Sequence, residues 1–190
     1  FWQGNYHLFY GTNPYGAYDD TSRAHWGHAV SKDLIYWEDW PMALAPTPGG
    51  PDSRGCFSGG SIIWNDTPTL FYYGNPDGIC IATSVDGLQT WQKHPQNPLI
   101  PHYPNENPRV FDPCVWKEGD VWYCLSGGRV GRGSSNGSRD TAFVFRSYDF
   151  LKWDYLGQFY DPGQENDCAV PDFFSIGDKY MLLFSSHKRG

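Results

Sequence analysis

One stretch decides the fold of this chain: His25-Trp26-Gly27-His28-Ala29-Val30-Ser31-Lys32-Asp33-Leu34-Ile35-Tyr36-Trp37. Its second half, Ser-x-Asp-Leu-x-x-Trp at 31–37, returns as Ser-x-Asp-Phe-x-x-Trp at 147–153, and a looser copy one residue longer spans 84–91. A Ser-x-Asp turn can hydrogen-bond its own backbone. We therefore expect each copy to close a tight turn, and the Trp that follows to return apolar area to the space between neighbouring sheets.

A second repeated element precedes each copy. Aromatic and aliphatic runs of high β propensity end at Gly11, Gly74, Gly127 and Ser186, so the unit returns about every 60 residues. A repeat of four-strand size is typical of a β-propeller. We predict an all-β fold for residues 1–190, and we interpret the Pro- and Gly-rich segment 38–54 as a surface connection.

Composition limits the partners of the protein. The chain of 190 residues is 18% aromatic and carries a formal net charge of −7, which argues against nucleic acid as a partner. Flat aromatic rings suit the stacking of carbohydrate. No apolar run approaches 18 residues, so we expect no membrane partner. The five Cys show no metal spacing, and His25 and His28 point to opposite faces of a strand, so we expect no metal and no cofactor.

Carboxylates supply the candidate chemistry. Asp112 stands between apolar neighbours at a strand entry fixed by Pro113, where it is either a turn cap or a functional charge. Glu165 and Asp167 crowd the segment before Pro171, which is either a solvated acidic loop or a catalytic one. Two carboxyl groups facing each other across a pocket are what glycoside hydrolysis requires.

Several motifs, taken in order, resemble those of glycoside hydrolase family 32, the β-fructosidases. They are the block 25–37 and the segments Tyr6–Tyr10 with Asn13-Pro14, Phe57-Ser58-Gly59, Phe111-Asp112-Pro113 and Asp167-Cys168…Pro171-Asp172-Phe173-Phe174. The resemblance implies a five-bladed propeller, of which the chain covers about three blades and the start of a fourth. It also implies a retaining double-displacement mechanism on fructosides such as sucrose or fructans.

The resemblance also implies site residues. Asp112 is then the carboxylate that stabilises the transition state, and the fructose pocket includes Asn13, Trp26, Phe57 and Ser58. The family's nucleophilic Asp falls before Phe1, so we expect the 190-residue chain alone to release no fructose.

Two positions depart from the family's pattern. Phe111 stands where the Arg-Asp-Pro motif has its Arg, and Arg109, two residues earlier on the same face of a strand, is the candidate substitute. Ala169 stands where the acid Glu is usual, so Asp167 is the favoured acid and Glu165 the alternative. The departures keep two rival functions open: an arabinanase- or xylosidase-like propeller, and a non-catalytic carbohydrate-binding propeller.

Overall fold

The structure, a computed structural model, describes residues 1–16, 24–102, 109–130, 139–161 and 168–185. All regular secondary structure in these ranges is β-strand, as predicted. The strands are β1 (Tyr6–Thr12), β2 (His25–Ser31), β3 (Glu38–Leu44), β4 (Cys56–Trp64), β5 (Thr67–Gly74), β6 (Gly78–Thr83), β7 (Gln92–Lys93), β8 (Ile100–Pro101), β9 (Arg109–Glu118), β10 (Val121–Val130), β11 (Arg139–Ser147), β12 (Asp154–Tyr160), β13 (Ala169–Ile176) and β14 (Lys179–Ser185). In the described part of the chain no helix is long and apolar enough to cross a membrane.

The strands form four antiparallel sheets. The first is β1-β2-β3, the second is β4-β5-β6 with both β7 and β8 paired to β6, the third runs from β9 to β12, and the fourth is β13-β14. The first strands of the last three sheets lie together, since β4 contacts β9 and β9 contacts β13. This arrangement confirms the predicted propeller, with three blade-like sheets and the start of a fourth.

The repeated Ser-x-Asp turn has the predicted geometry. Ser31 Oγ accepts the backbone N–H of Leu34 at 2.8 Å, and Asp33 Oδ1 accepts the N–H groups of Ile35 and Tyr36, both at 2.9 Å. The copy at 147–152 repeats the pattern: Ser147 Oγ accepts the third N–H after it at 2.9 Å, and Asp149 Oδ1 accepts the next two at 2.9 and 2.8 Å. Each turn therefore satisfies its own backbone.

Two of the three repeated Trp residues pack between sheets as expected. Trp91, from the second sheet, meets the Phe9 ring of the first sheet edge-on, with centroids 5.4 Å apart. Trp153 packs against Phe150, whose ring lies in the cluster that joins the second and third sheets. Trp37 is different, because it is 38% exposed at the edge of the first sheet. The expected packing is therefore found for the second and third copies only.

The interpretation of 38–54 as a surface connection is wrong at its beginning. Glu38–Leu44 forms β3, which pairs with β2 and buries Ala43 and Leu44. The Pro-rich composition misled the prediction because β3 is an edge strand. Pro41 falls where the pairing with β2 shifts register, and a residue without an N–H is tolerated at such a place.

Candidate active site

The first strands of the last three sheets carry a β-bulge at corresponding places. Phe57 and Ser58 of β4 face the single residue Tyr73, Asp112 of β9 is inserted between two register pairs, and Val170 and Pro171 of β13 form the third bulge. Bulges of this kind re-aim side chains and occur often beside active sites. Three predicted segments, Phe57-Ser58, Phe111-Asp112-Pro113 and the one around Pro171, thus lie on β4, β9 and β13, the strands through which these sheets contact one another.

Asp112 lies at the centre of these bulges in a strained conformation. Its φ is +41°, and its Oδ2 accepts the backbone N–H of Val170 at 3.2 Å. Val170 has a φ of +44°, an outlier for a β-branched residue. Non-glycine residues held at such angles cluster at functional sites. The carboxylate therefore bridges two strands whose backbones are both bent where they meet.

Ser126 supports the bulge at Asp112 from the next strand. This fully buried residue accepts the N–H of Phe111 at 3.0 Å, and its Oγ lies 2.7 Å from the carbonyl oxygen of Phe111. The neighbouring Gly127 admits the backbone of the fourth sheet, because a Cβ there would collide with the carbonyl oxygen of Cys168. The sequence marked Gly127 only as the end of a repeated run and gave no sign of Ser126, because the partners of both residues lie on other strands.

A cavity of about 470 Å³ opens between the first two sheets. Trp26, Phe57 and Ser58 line it together, so the structure brings three of the predicted pocket residues to one place. Trp26 is 6% exposed, and its indole N–H donates to the Phe57 carbonyl oxygen at 3.0 Å. That bond fixes the Trp26 ring against the bulge of β4. The remaining lining residues are His7, Phe9, Gly11, Ala24, Cys56, Gly59, Gly60 and Ser61.

Asn13 does not line this cavity. It follows β1, and its Oδ1 accepts the N–H of Tyr15 at 3.1 Å, so its side chain shapes the turn after the strand. Its role in binding stays a prediction. Glu165 and Asp167 lie outside the residues that the structure describes.

An aromatic wall joins the bulges of β4 and β9. Tyr73, which is 8% exposed, contacts Phe57 at 5.8 Å and Phe111 at 5.3 Å between ring centroids, and His102 contacts Phe111 at 5.5 Å. Burial raises the pKa of Tyr73 to about 12; the Arg109 charge opposes this rise, and the Asp112 carboxylate adds to it. The phenol is therefore neutral at ordinary pH.

Arg109 lies on the same face of β9 as Phe111, as predicted. Its Nε donates to Nε2 of His102 at 3.0 Å, and the ring of His102 also contacts Phe111. Within the described ranges no carboxylate lies within ion-pair distance of Arg109. Arg109 therefore adds positive charge on the strand that carries Asp112, three residues before it.

A buried ion pair holds the segment before β4. Asp52 is fully buried and accepts bonds from Lys93 Nζ, from the Tyr72 hydroxyl at 2.8 Å and from the Thr47 N–H at 3.0 Å. Burial alone would raise the pKa of Asp52, but Lys93 and these hydrogen bonds outweigh it and lower the pKa. The site fixes Cys56, the residue before the bulge, because Cys56 Sγ also lies 3.5 Å from Asp52. The sequence alone offered no signal for this pair.

His28 lies beside His7 on the neighbouring strand. His28 is fully buried, and its Nε2 lies 3.0 Å from Nδ1 of His7 rather than beside His25. Burial lowers the pKa of His28 to about 4, and the neighbouring His7 adds to the effect. No group of three or more His, Cys, Asp or Glu side chains in the described ranges is arranged to hold a metal ion.

Comparison with known proteins gives one consistent family. The model of the glycosyl hydrolases family 32 N-terminal domain matches residues 1–189. A sucrose-6-phosphate hydrolase from Zymomonas mobilis is 34% identical over 97% of this chain and 38% of its own length. A fructan 6-exohydrolase from Beta vulgaris is 32% identical over 92% of this chain and 30% of its own length.

The solved structures agree with the sequence matches. A β-fructofuranosidase from Bombyx mori superposes with a TM-score of 0.78 at 29% identity, covering 98% of this chain and 39% of that protein. The chain thus spans about two fifths of the length of the relatives it matches, or less.

Proposed function

The chain belongs to glycoside hydrolase family 32, and from that premise we propose that the protein hydrolyses β-fructofuranosidic bonds, as in sucrose or fructans, with retention of configuration. Residues 1–190 then form part of its catalytic propeller. The relatives named above act, by their names, on sucrose 6-phosphate and fructan, and both substrates carry the fructosyl unit that this proposal requires.

One contact carries the proposal: the bond between the Asp112 carboxylate and the N–H of Val170. Val170 lies on the strand that follows the acidic segment, three residues after Asp167 in sequence. The Asp112 carboxylate of the third sheet thus contacts β13, the strand that begins just after the predicted acid. In a retaining glycosidase the acid and the nucleophile are two carboxyl groups about 5 Å apart, and Asp112 would be a third carboxylate beside them.

The roles then follow from the chemistry. Asp167, or Glu165 in its place, gives its proton to the leaving oxygen while a nucleophilic carboxylate attacks the anomeric carbon. Asp112 accepts hydrogen bonds from sugar hydroxyls, which strengthen as positive charge develops on the ring. The acid, now ionised, takes a proton from the water that releases fructose and restores the starting state.

The cavity offers room for both sugar and nucleophile. At about 470 Å³ it falls within the range of small-molecule sites, and Trp26, Phe57 and Ser58 give it one apolar wall and one hydroxyl. Among the described strands β1 pairs only with β2, so its other edge is open beside this cavity. We propose that a strand from the segment before Phe1 pairs with that edge and carries the nucleophilic Asp.

The test is a substrate panel with the full-length protein. We expect fructose release from sucrose, inulin or levan, and none of comparable rate from arabinan or an aryl xyloside. Faster hydrolysis of a pentofuranoside would favour an arabinanase-like enzyme. Saturable binding of fructan without any sugar release would favour the binding propeller and overturn the proposed activity.

A further inference from the structure

The contact between Arg109 and His102 defines the protonation state of the histidine. Arginine nitrogens only donate hydrogen bonds, so the 3.0 Å contact from Arg109 Nε requires an unprotonated Nε2 on His102. The neutral ring then carries its proton on Nδ1. A second proton on Nε2 would remove the acceptor and set two cations against each other. The bond therefore exists only while His102 is neutral.

His102 is itself held firmly by the second sheet. Its backbone N–H donates to the Asp77 carbonyl oxygen at 2.6 Å, directly after β8. Its ring lies 6.4 Å from that of Tyr73 and 5.5 Å from that of Phe111. A rigid acceptor of this kind fixes the direction of the flexible Arg109 side chain and leaves its terminal NH₂ groups to donate to a ligand.

The contact between His102 and Arg109 matters because Phe111 occupies the position directly before Asp112. The residue directly before Asp112 is aromatic and cannot donate a hydrogen bond, whereas Arg109 reaches the same face of β9 from two residues earlier. We infer that His102 is a positioning residue that aims Arg109 at the hydroxyls of the bound sugar, and that it does so only in its neutral form. The inference rests on the proposed function, because it assigns Arg109 to the fructoside site.

The surroundings of His102 set the direction of its titration. Burial, and then the Arg109 charge, hold the pKa of His102 below the usual 6.5, and a hydrogen bond to the Val110 backbone and the Asp77 carboxylate oppose them. Tyr73, a further titratable group beside the ring in the described ranges, is neutral. His102 is therefore neutral at pH 7 and gains its proton as the pH falls below 6.5. Substrate affinity should fall in the same range.

Two substitutions in the full-length protein distinguish the effect of the His102 hydrogen-bond acceptor from the effect of its ring. His102→Gln keeps an acceptor near the position of Nε2 but cannot titrate, and His102→Phe keeps the ring but has no acceptor. We expect His102→Phe to lower kcat/KM about tenfold to a hundredfold, mainly through KM, since a hydrogen bond to a charged group is lost. We expect His102→Gln to keep near wild-type kcat/KM at pH 7 and to hold it further into acid.

His94→Gln is the matched control, because it makes the same change on a histidine directly after β7, whose Nδ1 accepts the Gln96 N–H at 3.3 Å. It should leave the pH profile as in the wild type. If His102→Phe matches the wild type in KM, or if His102→Gln keeps the acidic fall in affinity, the positioning role is wrong.

A readout without turnover separates this inference from the proposed function. The Arg109 Nε–H signal in ¹⁵N-labelled protein, identified by its loss in Arg109→Lys, should shift as the pH falls below 6.5 and stay constant in His102→Gln. A signal that stays constant in the wild type overturns the inference even if fructose is released. A shifting signal without fructose release would instead preserve the contact and overturn the enzymatic proposal.

Discussion

The peripheral turns and the inner bulges of the same sheets differ in what is repeated. The turns that begin at Ser31 and Ser147 share residue types and hydrogen bonds to within a few tenths of an ångström. The bulges of β4, β9 and β13 share only their position and carry unlike residues, with Asp112 on one of them. The repeated turns serve the folding of each sheet, whereas the differing residues at the bulges suit a single functional site.

The contrast has an energetic side as well. Each turn satisfies its backbone within seven residues and leaves little polar capacity for a ligand. Both regions hold non-glycine residues at positive φ, Leu34 and Phe150 in the turns and Asp112 and Val170 at the bulges, at a cost of about 1–3 kcal/mol each. The difference lies in the carboxylates, because Asp112 binds the backbone of another sheet whereas the turn carboxylates bind their own. Substitutions at the two regions should therefore separate activity from stability.

The largest expected effect is on activity at the inner bulge. Asp112→Asn keeps an acceptor for the Val170 N–H but removes the charge that would face the transition state. We expect kcat/KM for sucrose or inulin to fall about 10²- to 10³-fold with little change in melting temperature. Asp149→Asn makes the same change in a peripheral turn and should leave kcat/KM within twofold. Equal losses of kcat/KM in the two variants would contradict the assignment of activity to the bulge and of folding to the turns.

The next effect is on stability, at the ion pair below the bulge of β4. Asp52→Asn leaves Lys93 next to a buried site without its carboxylate, so we expect the free energy of unfolding to fall by about 3 kcal/mol. Urea denaturation measures the change. Asp149→Asn again serves as the reference, and we expect less than about 0.5 kcal/mol there, because the amide oxygen still accepts. A near-neutral Asp52→Asn would mean that Lys93 reaches water without loss.

A smaller effect tests whether the two turns are equivalent. Ser147→Ala deprives the N–H of Phe150, which is 1% exposed, of its partner, so we expect a loss of about 2 kcal/mol. Ser31→Ala frees the N–H of Leu34, which is 56% exposed and can turn to water, so the loss should be below about 1 kcal/mol. Calorimetry of both variants measures the difference. Equal losses would show that burial does not distinguish the turns.

The smallest effect concerns strain. Val170→Asn places a residue that tolerates positive φ where valine does not, and Val170 is 42% exposed, so little packing is lost. We expect the free energy of unfolding to rise by about 0.5–1 kcal/mol. A thermal shift assay detects this change, and destabilisation would indicate that Val170 packing outweighs its backbone strain.

The sequence predicted features whose partners are close along the chain. The turns at 31–37 and 147–153, the strands that precede them and their spacing were all readable, because their hydrogen bonds and alternation are local. The strand β3 was not readable, because its Pro-rich composition is acceptable only at an edge, and edge position is a property of the sheet.

In the candidate site, too, the sequence identified individual residues but not the contacts between distant ones. Residue type singled out Asp112, and the family resemblance added Trp26, Phe57 and Ser58, which line one cavity. The Asp52–Lys93 pair joins residues 41 positions apart, and the Arg109–His102 bond depends on how β8 and β9 meet. No local pattern encodes either contact.

The sequence by itself determined the β-propeller architecture, because the turns depend on short-range hydrogen bonding and the strands on a regular repeat. Its motifs, by their resemblance to one family, also supplied the residues of the proposed chemistry. Only the tertiary structure decided that Asp112 lies on a strained bulge in contact with the next sheet, that Arg109 is held by His102, and that Asp52 is buried with Lys93. The physical reason is that bulges and buried charges are stabilised by groups distant in the chain, whose positions exist only once the sheets have packed.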